Sequence, residues 1–233
     1  MSSKTALKEE IHYNDKEQMI AKLYTLDGKP EGEYTSYFGN GEIMVRLFYR
    51  NGLKEGDAVS YYHDGKIREK GSFKNDKLAG DYVCYYENGQ LREAEHYTDE
   101  GLLDGTYQLY YRNGQLKEEE NFTKGKFDGD YVCYYKDGAL REKGSFRNDK
   151  REGEYVVYYK SGRVKEKAFY RNGKLEGPFL AFDESGKAIN PKDKNTDNSF
   201  TDGEEDTQNR ERMVDDLLKG FGNYESGTKP DAK

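Results

Sequence analysis

Three features of the sequence predict an all-β fold: an elongated single-sheet meander of stacked 24-residue β-hairpins, followed by a disordered acidic C-terminal tail containing one short helix. Glycine recurs at Gly32, Gly56, Gly80, Gly105, Gly129, Gly153 and Gly177, every 24 residues except for 25 in the unit that begins at Gly80. Self-similarity at a fixed period of this length marks a repeat architecture. A second glycine stands nine residues after each of these, at Gly41, Gly65, Gly89, Gly114, Gly138, Gly162 and Gly186. The composition is the third feature. Only 33% of residues are hydrophobic, and 22 Tyr and 11 Phe supply much of that fraction. A thick Leu/Ile/Val core cannot be built from such a chain, whereas an array in which each unit packs only on its neighbours can.

The N-terminal region, 1–31, keeps the period weakly, with Lys8 and Glu17 where glycines would fall, and reads as a degenerate capping repeat. The repeat domain, 32–189, holds six full units and a terminal half unit. With each first glycine as position 1, positions 2–7 are rich in Tyr and Val and form an outgoing strand. Asn-Gly, Asp-Gly or Ser-Gly at positions 9–10 supplies a turn, and positions 11–18 form the return strand. A second turn, such as "KNDKLAG" at 74–80, leads into the next unit. With strands about 4.8 Å apart, each hairpin advances the sheet by roughly 9.6 Å. In the last unit Pro178 stands at position 2, where it removes a backbone donor and blunts a sheet edge. Residues 190–208 are polar and acidic and read as a disordered linker. In 209–222 Met213, Val214, Leu217, Leu218 and Phe221 fall on one face of a short helix, and 223–233 again read as disordered. A free helix of this length is marginal in water, so its apolar stripe predicts docking, on the chain's own sheet edge or on a partner.

Net charge is −7. From Ala188 onward there are 7 Lys/Arg and 11 Asp/Glu, while residues 1–187 carry 31 and 34. A nearly balanced body with an acidic tail argues against a nucleic-acid binder, which needs a cationic excess. "MSSKTALKEEIHY" has no apolar run after a basic start, and no stretch approaches the roughly 18 apolar residues of a membrane span. A soluble, cytoplasmic protein is the expectation.

The repeat consensus, as in "GDYVCYYENGQLREAEHY" at 80–97 and "GDYVCYYKDGALREKGSF" at 129–146, resembles MORN-variant repeats of the bacterial type found in YwqK-family antitoxins. The resemblance covers about residues 32–189. It implies a twisted sheet of consecutive hairpins and a protein-interaction or immunity role. Some relatives carry kinase or methyltransferase domains, for which the 44 residues after Ile189 are too few.

Several columns of the repeat bear chemistry. Positions 6 and 7 form paired tyrosine columns, and position 13 a basic column: Arg68, Arg92, Lys117, Arg141 and Lys165. A two-residue turn would pair position 6 with 13 and 7 with 12, whereas a three-residue turn with a glycine bulge would pair 6 with 12 and 7 with 13. The two-residue register is favoured, which sets Tyr61, Tyr85, Tyr110, Tyr134 and Tyr158 beside the basic column as the partner-binding face. Stacking alone would account for any single tyrosine. The glutamates at position 14 (Glu69, Glu93, Glu118, Glu142, Glu166) read as a solvated or salt-bridged ladder rather than catalytic pairs. Cys84 and Cys133, at position 5, lie two hairpins apart and read as packing residues; no disulfide, metal site or cofactor is expected. The functional expectation is a non-enzymatic protein-interaction module, an antitoxin or immunity protein blocking a cognate toxin through its Tyr/Arg face. The alternative is a structural scaffold or membrane-associated organiser, which would require the basic column to dominate one face.

Overall fold

The computed structural model describes residues 6–190. Every strand among them belongs to one antiparallel sheet, in which each hairpin pairs with the one before and the one after it. The N-terminal strands Lys8–Tyr13 and Met19–Leu26 form a hairpin that extends this sheet, with Glu17 at φ 59° in the turn position that glycine holds in the other units. Left-handed backbone is uncommon for a residue with a Cβ.

The two turns of each unit look alike in sequence but differ in construction. In the unit beginning at Gly80, the Tyr86 N–H donates to the Gln90 carbonyl (2.8 Å), and the Gly89 N–H donates to the Tyr86 carbonyl (2.8 Å). This is a three-residue loop, Glu87–Asn88–Gly89, with glycine in the left-handed conformation. The second turn, in contrast, has two residues: Asn75 and Asp76 both adopt positive φ between the paired Lys74 and Lys77, as a type I′ hairpin turn requires. The 25-residue unit spends its extra residue here. Thr98 N–H donates to Leu102 and Gly101 N–H to Thr98, so this second turn becomes a three-residue loop.

The register favoured from sequence is corrected. Tyr85 pairs with Leu91, position 6 with 12, but Cys84 pairs with Glu93, so the register shifts and Arg92 is an extra residue on the return strand. The same shift occurs in the hairpins ending at Tyr13, Tyr37, Tyr61, Tyr110, Tyr134 and Tyr158. Such a bulge bends the strand and increases its twist. It also breaks the strict alternation of side chains between faces, and so moves the basic column.

One face of the sheet carries the core. Position 3, position 5, position 14 and position 18 side chains point into it, exemplified by Tyr82, Cys84, Glu93 and Tyr97. Two apolar clusters result. One runs from Val45 to Tyr97 and the other from Phe122 to Tyr170, and the partly buried Leu103 packs against both. Large and small side chains interlock between units: a Cβ at Gly144 would collide with the Tyr155 ring, and one at Gly71 would lie 3.1 Å from Tyr82 Cδ2. At the junction of the clusters the corresponding residues are Glu95 and Glu120, both buried.

Candidate interaction faces

The bulge turns the basic column toward the core-side glutamates. Arg68 Nη2 lies 2.5 Å from Glu69 Oε1, Arg92 Nη2 3.1 Å from Glu93 Oε2, Arg141 Nη2 2.9 Å from Glu142 Oε1, and Lys165 Nζ 3.6 Å from Glu166 Oε1. The Glu column is therefore not a solvated face: Glu69, Glu93, Glu142 and Glu166 are buried, and Glu93 is 1% exposed. Tyrosines of the next units complete the pairs, with Tyr82 Oη donating to Glu69 (2.8 Å) and Tyr155 Oη to Glu142 (2.7 Å). A carboxylate can be buried at tolerable cost only when so partnered. Four of the five predicted cations are thus half-buried members of an ion-pair ladder, and Lys117 is half-buried beside Glu118 in sequence.

The tyrosines separate across the sheet. Those at position 7 reach over the seam between units, each donating from Oη to the backbone carbonyl of position 6 in the next unit: Tyr62 to Tyr85 (2.6 Å), Tyr86 to Tyr110, Tyr111 to Tyr134, Tyr135 to Tyr158 and Tyr159 to Phe182 (2.8 Å each). Burial raises the Tyr62 and Tyr86 hydroxyl pKa, against which the nearby charge of Arg92 acts. The basic column therefore neighbours the position 7 tyrosines, and not the position 6 tyrosines as the sequence reading preferred. Phe38, the one position 7 residue before these without a hydroxyl, stacks on His63 at 3.8 Å between ring centroids.

Tyr61, Tyr85, Tyr110, Tyr134 and Tyr158 stand half-buried on the other face, the one the core does not use. Their neighbours there come from positions 2, 4, 15 and 17. Tyr110 Oη donates to Gln108 Oε1 (2.9 Å), and Lys143 Nζ lies 6.0 Å from the centre of the Tyr158 ring. Carboxylates at position 2 pair across to the return strand, as Lys167 with Glu154 (2.5 Å) and His96 Nδ1 with Asp81 (2.6 Å). Over the hairpins between Val45 and Val83 this face holds a groove of about 540 Å³, lined by Arg46, Phe48, Asp57, Val59, Lys70, Ser72, Asp81 and Val83. Phe48 and Ile67 are among the exposed large apolar residues of this face. The sequence reading missed the Val/Lys columns at positions 4 and 15; their signal is the period-2 alternation from Tyr85 back through Val83 and Asp81.

Other chemistry is sparse. Burial pushes the Cys84 and Cys133 thiols up to about 11 each, so they are held protonated and unreactive. Both are free cysteines packed in the core. Among the described residues no group of three or more His, Cys, Asp or Glu is placed to hold a metal ion. The predicted docking stripe Met213, Val214, Leu217, Leu218 and Phe221 lies outside the described residues.

Comparison with known proteins gives one family. The profile of the MORN repeat variant matches residues 30–51, 54–75, 78–99, 103–124, 127–148 and 151–172. No curated protein matches the chain. Among solved structures, a GtfA/B complex bound to UDP and GlcNAc aligns with 14% identity over 51% of this chain and 23% of its own, at a TM-score of 0.22. A TcdB2–TccC3–Cdc42 structure aligns with 10% identity over 75% of this chain and 13% of its own, at 0.21. A Photorhabdus luminescens Tc holotoxin pore aligns with 11% identity over 75% and 13%, at 0.20. The chain thus spans less than a quarter of the length of each of these structures.

Proposed function

The chain belongs to the MORN repeat variant family, and from that premise we propose that it is a non-enzymatic module that binds another protein on the face opposite its core. One observation carries the reading: the half-buried position 6 tyrosines share that face with an apolar groove flanked by both signs of charge. Tyrosine offers contact area and a hydroxyl at small entropic cost, which makes it a frequent anchor of interfaces. The core-side Arg/Glu ladder is not part of this surface, because its charges already satisfy one another. On the resemblance to YwqK-family antitoxins, the partner is a toxin and binding blocks it. The near-neutral body and acidic tail favour a basic partner surface.

The test is affinity capture from native lysate with the wild-type chain and with Val83→Glu/Tyr85→Ser, whose circular dichroism must first match the wild type. A single stoichiometric protein retained by the wild type and lost by the variant supports the reading. Recovery with lipid vesicles and no protein partner would replace it with the membrane-associated organiser, and equal capture by both chains would move the site off this face.

A further inference from the structure

We infer that the C-terminal segment 209–222 docks in cis on the open end of the repeat array, covering Leu175. One position, traced along the chain, points there. The residue two before each unit's first glycine is Pro30, Lys54, Leu78, Leu103, Phe127, Arg151 and finally Leu175. Leu78 and Phe127 are each 4% exposed, whereas Leu175 is 50% exposed. The difference lies in the neighbouring unit. In the interior of the array the next second turn closes over this residue: Lys54 N–H donates to Asp76 Oδ1 (2.7 Å), and Asp76 N–H returns a bond to the Lys54 carbonyl (3.0 Å). Phe127 and Asp149 repeat the arrangement. After Leu175 the described chain supplies only the short strands Leu180–Phe182 and Ala188–Ile189, and no such turn.

Glu176 reports the same open end. Its counterparts Glu31, Glu55 and Glu152 accept the backbone N–H of the next unit's turn, from Asn51, Asn75 and Asn172. Glu176 accepts no such amide among the described residues and keeps only the ion pair to Arg171 (3.0 Å), whose equivalents Glu55–Arg50 (4.0 Å) and Glu152–Arg147 (3.9 Å) exist beside the turn bond. The uncovered end therefore presents an apolar side chain, a carboxylate with no turn to hold, and the exposed cation Arg171.

The sequence continues from this same end for 43 residues past Asn190. Within them Met213, Val214, Leu217, Leu218 and Phe221 supply the one concentrated apolar stripe, and Asp215 and Asp216 between them supply charge complementary to Arg171 and Lys174. The 22 residues between Asn190 and Met213 give a root-mean-square reach of roughly 26 Å if flexible, enough to cross the few strand spacings back to Leu175. Tethering at that distance makes docking intramolecular, with an effective concentration in the millimolar range. A second copy would have to find this end from dilute solution.

The experiment is hydrogen–deuterium exchange of backbone amides in 169–176, in the full chain and in full-length Leu217→Asp/Leu218→Asp. The substitutions should speed exchange there by roughly 5- to 30-fold, the effect of losing a docked cap of modest stability. Unchanged exchange would overturn the inference. In a Leu175→Asp background the tail substitutions should add nothing, and an undiminished effect would place the tail elsewhere. Protection must also be independent of protein concentration; if it falls on dilution while sedimentation shows a dimer dissociating, a second copy and not the tail covers Leu175.

Discussion

Glu93 is 1% exposed, with Arg92 Nη2 at 3.1 Å. Adjacent residues on a regular strand point to opposite faces and could not form this pair; the bulge at Arg92 makes it possible. Arg92→Glu would leave two carboxylates where one is already buried. We expect a loss of about 2–3 kcal/mol in urea unfolding, below the range for a fully buried pair because the Arg92 side chain is partly solvated. Tyr85→Ser, on the open face, should cost less. The reverse ranking would return the basic column to a surface role.

At the scale of the hairpin, the period, the turns and the strands are legible in the sequence, because glycine spacing and Asn-Gly pairs carry them directly. The face of each column after the first turn is not. A one-residue bulge leaves no mark at Arg92 or Glu93, so the alternation rule places Tyr85 beside Arg92 when the neighbour is Tyr86. The burial of the Glu column is hidden for the same reason. Where two hairpins meet at the 25-residue unit, a titratable seam results. Burial pushes the Glu95 carboxyl up to about 7 from its ordinary 4.5, while the Tyr97 hydroxyl bonded to it and the charge of Arg92 act downward and the charge of Glu93 upward. Glu95 thus holds its proton in the folded state over a range where the unfolded chain has lost it. Its contribution is full below about pH 4.5 and is lost as pH rises to about 7, on the order of 3 kcal/mol in all. Glu95→Gln should flatten the pH dependence of the urea midpoint in this window; an unchanged slope would remove Glu95 as its source.

Among the described residues the core gathers into two clusters joined through Leu103, with the buried carboxylates Glu95 and Glu120 between them. An array whose units contact only their neighbours has a stability close to a sum of local terms, and this polar junction is its weakest apolar link. Phe73→Ala, a core truncation of about 3–5 kcal/mol, should therefore speed amide exchange within 45–97 and leave 122–170 near wild-type rates. Uniform acceleration across both halves would show a single cooperative unit.

The tyrosine bonds across the seams have an evolutionary consequence. Each unit from Gly56 to Gly153 donates a hydroxyl forward to a main-chain carbonyl of the next, as Tyr86 does to Tyr110 and Tyr62 to Tyr85. Since every residue type has that carbonyl, the acceptor makes no demand on side-chain identity. For this bond, a copied block can be spliced between units without matching a new pair of side chains, whereas the Tyr82–Glu69 and Tyr155–Glu142 bonds are kept only if the block carries both partners' columns with it. The near-identity of "REKGSFKNDK" at 68–77 and "REKGSFRNDK" at 141–150, three units apart, is the trace that copying of a three-hairpin block leaves behind.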